Sequence, residues 1–227
     1  MKTSLILLAS TLLFIGCSGS AKEKDKEKEN PPIKEFSDTT KFLKFSSNFD
    51  RVSLPKSFEP NNLDITGKKE IEKEYIQSYI CDYENFCLQS DTYNENVYYY
   101  YCSLENKFDF PILVYYRIES LYDRQLILAV YSEKEGRLIS KMVIWGWKVN
   151  QYDLTSEITA SLEVKTKTIY YSNNSETVSN KKDSFPIYEK LEKYHLNEEG
   201  HFTLDSTKME KFMAKYENHE LKYPITN

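Results

Sequence analysis

Glycine is scarce in this sequence, with 6 among 227 residues. That scarcity argues against folds that cradle phosphates in glycine-rich loops. No G-x-G-x-x-G, P-loop, H-E-x-x-H, G-x-S-x-G or EF-hand spacing occurs. Histidine is rarer still: His195, His201 and His219 all lie far along the chain from Cys81, Cys87 and Cys102. A catalytic thiol needs a histidine beside it, so these cysteines read as structural or as inert buried thiols. An excess of positive charge is also missing. The net charge is −5 and no basic patch stands out, which makes nucleic acid a poor partner. The carboxylates are many but scattered, so no acid–base pair can be nominated, and no metal or cofactor is implied. Finally, the one long apolar run, Leu5 to Ile15, falls short of the roughly 20 residues that a permanent bilayer span requires.

What is present begins with that run. Lys2 supplies a short positive start, the apolar stretch follows, and Gly16 precedes Cys17. This is the organisation of a secretory signal, but without its small-x-small cleavage pattern. Leu13-Phe14-Ile15-Gly16-Cys17 resembles instead the lipobox of bacterial lipoproteins. The resemblance implies cleavage of residues 1–16 and acylation of Cys17, which becomes the first residue of the mature chain. One acyl chain binds a membrane marginally and several anchor it stably, so the protein is expected to be held at a membrane without spanning it. Ser18 follows the cysteine, which in two-membrane bacteria resembles an outer-membrane destination, on its periplasmic or surface face. Residues 21–29, AKEKDKEKE, put like charges four apart along any helix, and Pro31-Pro32 comes next. Residues 17–35 are therefore expected to be a lipidated cysteine followed by a flexible charged tether, and residues 36–227 a single domain.

That domain is rich in tyrosine (19 residues), which suits pleated sheet. The segments 97–105, 110–118, 125–131 and 138–147 are strand-like and joined by short polar links. Ile158 to Lys165 alternates apolar and polar most cleanly, and 168–171 and 187–196 continue the series. The expected fold is mainly β (α+β), an antiparallel meander forming either an open curved sheet or a partly closed barrel. "SEKEGRL" and "LNEEGHF" read as hairpin turns whose glycine takes positive φ. Two helices are expected to pack on the sheet. The first covers 68–80 with Thr66 as N-cap and Ile71, Tyr75, Ile76, Tyr79 and Ile80 as its apolar face. The second starts at a capping box, Thr207 to Glu210, with Met209, Phe212, Met213 and Tyr216 buried against the sheet. The turn-and-strand style also resembles uncharacterised envelope lipoproteins of the Bacteroidetes, a group that brings no activity with it.

Three local features carry functional expectations. In an exported chain a disulfide is expected, with Cys81 and Cys87 the nearest pair and Cys87–Cys102 the alternative. His195 and His201 flank the NEEG turn; with a loop at Asn197–Gly200 they face opposite sides and share no ion. Trp145-Gly146-Trp147 places two indoles on one strand face. There they form either a stacking platform for a glycan or other flat ligand, or part of a core together with Val143 and Val149. The leading expectation is a non-enzymatic, membrane-anchored lipoprotein that binds a protein or envelope component. Glycan or small-ligand binding around Trp145 and Trp147 is the alternative, and an enzyme whose site assembles from distant residues is the third class.

Overall fold

A computed structural model describes residues 39–59, 63, 65–81, 96–120, 122–134, 136–149, 151–171, 184–217 and 220–223. The expected signal, Cys17, the tether and Cys87 lie outside the described residues. The chain is mainly β, as expected, and the sheet is open rather than closed into a barrel.

The meander is built from β3 (Val97–Leu104), β4 (Ile112–Ser120), β5 (Asp123–Tyr131), β6 (Leu138–Lys148), β7 (Tyr152–Ile158), β8 (Glu163–Tyr171), β9 (Phe185–Leu196), β10 (Phe202–Glu217) and the short β11 (Glu220–Lys222). Each is antiparallel to the next. Earlier in the chain, β1 (Arg51–Val52) runs parallel to β3, and β2 (Lys56–Phe58) pairs with β7. One short stretch thereby ties the first strand of the meander to its middle. Two helical segments complete the set. They are α1 (Thr39–Ser46) and α2 (Lys73–Tyr75), the latter widening into a π-helical turn over Ile76–Ile80.

Side chains alternate across a strand, and β3, β4 and β5 are apolar on both faces. One face carries Cys102, Val114, Tyr116, Leu126 and Leu128 into a core shared with Phe58, Ile158, Val164 and Leu196. The opposite face carries Tyr98, Tyr100, Leu113, Tyr115, Ile127 and Tyr131, covered by Phe42 and Phe45 of α1 and by Tyr75, Tyr79 and Ile80. The apolar stripe expected of the first helix is therefore buried as read, but the helix begins later. Lys69 to Ile71 lie extended against β3: Ile71 N–H donates to Tyr98 O (2.8 Å) and Tyr100 N–H to Lys69 O (3.0 Å). Pairing to an open edge has displaced the first turns, and Glu72, not Thr66, stands at the N-cap.

Glu72 accepts hydrogen bonds from Lys69 Nζ (2.6 Å) and Tyr100 Oη (2.7 Å). Burial alone would raise its pKa, but these two bonds outweigh it and hold the carboxyl at about 2. The Tyr100 phenol is pushed up, by burial first and then by that carboxylate. Because the folded value is depressed, the stability that Glu72 contributes is complete above the ordinary 4.5 and is lost as pH falls toward about 2. Glu72→Gln is expected to flatten the fall of the thermal midpoint over that acid window. An unchanged slope would show that the pair carries no stability.

Two sequence readings are corrected here. The alternating segment Ile158–Lys165 is not one strand: it contains the β7–β8 turn. Thr159 organises that turn, its N–H donating to Glu163 O (3.0 Å) and its Oγ1 accepting from Glu163 N–H (3.1 Å). Leu162 takes φ 62°, uncommon for a branched residue, and is held there by burial in the core. The second correction is the C-terminal helix, since Thr207 to Tyr216 belong to β10. A ten-residue helix is marginal by itself, whereas β9 offers a free edge along which Phe202 to Ala214 pair without interruption except at Asp205. The two glycine turns form as read, with φ +59° at Gly136 and +83° at Gly200.

Candidate functional site

The β9–β10 hairpin extends from a firm base. Its turn is shaped by Asn197, whose Oδ1 accepts the N–H groups of Glu199 (3.0 Å) and His201 (2.9 Å). A Cβ on Gly200 would lie 3.2 Å from Val130 and Ile139, and Ser140 Oγ donates to Gly200 O (2.5 Å). The tip therefore sits on β5 and β6, which fixes the ribbon that runs back from it.

Register assigns the faces of that ribbon. Tyr194, Glu192, Lys190 and Tyr188 of β9 stand opposite Leu204, Thr207, Met209 and Lys211 of β10, and Met213 opposite Pro186. Asp205 is an extra residue in β10, a bulge that keeps Leu204 on the same face as Met209 and Met213 despite the odd spacing. On this face Leu204 is 47 % exposed, Met209 58 %, Met213 43 % and Tyr188 38 %. They form an apolar stripe along the outer part of the sheet, interrupted on β10 by Thr207 and Lys211. Phe212 takes the other face and packs on Tyr223 (5.9 Å).

Of the charges near the stripe, Lys190 meets Glu192 at 2.8 Å on the same face, and Lys211 lies over the Tyr188 ring, 5.9 Å from its centroid. On the opposite face Lys193 meets Glu163 at 2.7 Å and Lys167 meets Glu189 at 2.8 Å. The bond to Glu192 raises the Lys190 pKa, and the bond to Glu163 raises that of Lys193. Burial would lower Lys167, but its bonds to Glu189 and Tyr223 outweigh that and raise it. The arrangement suits non-covalent recognition, in which the stripe is the part of the surface that costs least to desolvate.

Trp145 and Trp147 share a face, as read, but they do not form an exposed pair. Trp145 is 5 % exposed, lies 6.1 Å from the Tyr116 ring and leaves its indole N–H without a partner among the described residues. Trp147 is half-buried beneath the Arg124 guanidinium, 5.7 Å from its ring. A bulge at Ile144 turns both Ile144 and Trp145 into the core and moves Val143 opposite Ile127, onto the other face. Val149 is exposed beyond the end of β6. With Trp145 buried, the two indoles do not present a joint surface to a ligand.

The histidines are corrected as well. Asn197 bonds His201 across the hairpin and His195 pairs with Thr203, so the register is one residue away from that assumed and both histidines occupy the same side. His195 Nδ1 is engaged by Asp205 at 2.5 Å. Among the described residues no group of three or more His, Cys, Asp or Glu is placed to hold a metal. Cys81 is disulfide-bonded and Cys102 is a free buried thiol, which removes the Cys87–Cys102 pairing. Burial pushes the Cys102 thiol up to about 12, so it stays protonated and inert.

Sequence reasoning missed Leu204 and Tyr188, and it assigned Met209 and Met213 to a buried helical face. The available signal was the strand pairing implied by a hairpin glycine at 200: whatever followed it had to run back along β9.

Comparison with protein-family models, curated proteins and solved structures finds no match to this chain.

Proposed function

We propose that this protein is a non-enzymatic lipoprotein of the bacterial cell envelope, anchored by acyl chains on Cys17 and binding a protein partner through the exposed stripe of β9 and β10. The anchor rests on the lipobox-like Leu13–Cys17, and the outer membrane, on its periplasmic or surface face, is its proposed location. The observation that carries the binding reading is the exposure of Leu204, Met209, Met213 and Tyr188 on one face of the β9–β10 ribbon. Apolar surface of this kind is costly to leave in water and is a marker of a docking site.

The test uses a photo-cross-linking residue at position 188 of the full chain in the bacterial envelope, on the stripe's face but one strand in from the open edge of β10. A discrete adduct with one envelope protein is expected, and it should be lost in a Leu204→Ser, Met213→Ser background that leaves thermal stability unchanged. No adduct, or adducts insensitive to the two serines, would refute the surface. The anchor is tested separately: Cys17→Ala should release the chain from the membrane fraction, and retention there would refute lipid attachment.

A further inference from the structure

The edge of β10 carries information distinct from its apolar face. β9 pairs with one side of the strand, and β11 covers only Lys215 to Glu217 on the other. Among the described residues, no strand pairs with that second side from Ser206 to Met213. The stretch lies between the Asp205 bulge at one end and β11 at the other, so eight residues line an open edge, alternate ones directing their backbone N–H and C=O outward to any strand of matching length.

Natural edges are commonly blocked by lysine, and Lys208 and Lys211 stand on this one. Yet Lys208 does not stand alone. It lies on the same face as Glu210, with the two joined at 2.6 Å, and Met209 lies between them in sequence. In an antiparallel pairing about a two-fold axis through Met209, Lys208 falls opposite Glu210 of the partner subunit, and the reciprocal pair forms by symmetry. Ser206 to Phe212 then fills the open stretch symmetrically. Centring instead on Lys208 or Glu210 puts like charges face to face, which is destabilising. The segment is thus self-complementary in one register and self-repelling in its neighbours.

We propose that a second copy of this chain pairs along Ser206–Phe212 of β10, forming a two-fold dimer with one continuous sheet and Met209 on the axis. The dimer sets the two apolar stripes side by side. It does not depend on the identity or existence of another partner, because its readout is self-association.

The test is sedimentation equilibrium of the purified full chain in mild detergent. The expected species has twice the mass of one processed chain. Lys208→Glu alone, or Glu210→Lys alone, replaces two attractive pairs by two repulsive ones and should weaken the dimer at least about tenfold. The double exchange Lys208→Glu, Glu210→Lys should restore it to within about threefold of the original. Lys208 is exposed and Glu210 half-buried, and unchanged circular dichroism confirms folding. A monomer at every concentration would overturn the proposal, and so would a dimer indifferent to the single reversals. Either outcome leaves the cross-linking test of the stripe standing.

Discussion

Phe45→Ala is expected to cost about 3–5 kcal/mol of folding stability, the range for deleting a fully buried aromatic ring. Phe45 is the central ring of the cluster beneath α1. Its centroid lies 5.0 Å from Tyr79, 5.3 Å from Phe49, 5.5 Å from Tyr75 and 5.9 Å from Tyr100. These neighbours come from the turn after α1, from α2 and its π-helical extension, and from β3, so no single element can move in to fill the void. Net stabilities of domains are about 5–15 kcal/mol, so a loss of this size removes a large share. Urea denaturation followed by tyrosine and tryptophan fluorescence measures it. A change below about 1 kcal/mol would show that α1 does not pack on this face of the sheet.

Gly136→Ala should be nearly as damaging, at roughly 2–5 kcal/mol, for two separable reasons. With φ +59°, an L side chain costs about 1–2 kcal/mol of backbone strain. In addition, a Cβ there would lie 2.8 Å from Cβ and Cγ of Phe42, and overpacking of that kind costs about 1–3 kcal/mol. Gly67 supplies the control, since φ is +75° but nothing lies within 4 Å of its added Cβ. Gly67→Ala should show the strain alone. A Phe42→Ala background removes the ring contacts but keeps the Cβ at 2.8 Å, so the cost of Gly136→Ala should fall part of the way toward the Gly67 value, whereas strict additivity of the two substitutions would exclude a clash with the ring.

Gly136 also illustrates what could be read in advance. A polar run ending in glycine between two β-rich segments specifies a hairpin through chemistry confined to a few residues, and the same holds at Gly200. The strands from Val97 to Lys148 were legible for a similar reason: tyrosine and β-branched residues on both faces suit a sheet covered from both sides, and the connections are short. The apolar stripe from Ile71 to Ile80 was legible as a buried face even though its first turns are extended.

The candidate site was less legible, and Met209 shows why. Its neighbours Phe212, Met213 and Tyr216 recur at helical spacing, Thr207 and Glu210 match a capping box, and nothing local opposes a helix. The choice was made by β9, whose open edge supplies backbone partners along the whole segment; once paired, Met209 and Met213 share a face while Phe212 takes the other. Ile144 is a parallel case, because an extra residue against Leu126 and Ile127 places it beside Trp145 in the core and turns Val143 away. Local chemistry settled the β-rich class, the hairpin glycines and the apolar faces, since propensity and turn conformation act over a few residues. The C-terminal strand, the bulges, the one-residue register at His201 and the exposure of the stripe came from pairing between distant segments, where backbone hydrogen bonding to an available edge outweighs weak helical preference.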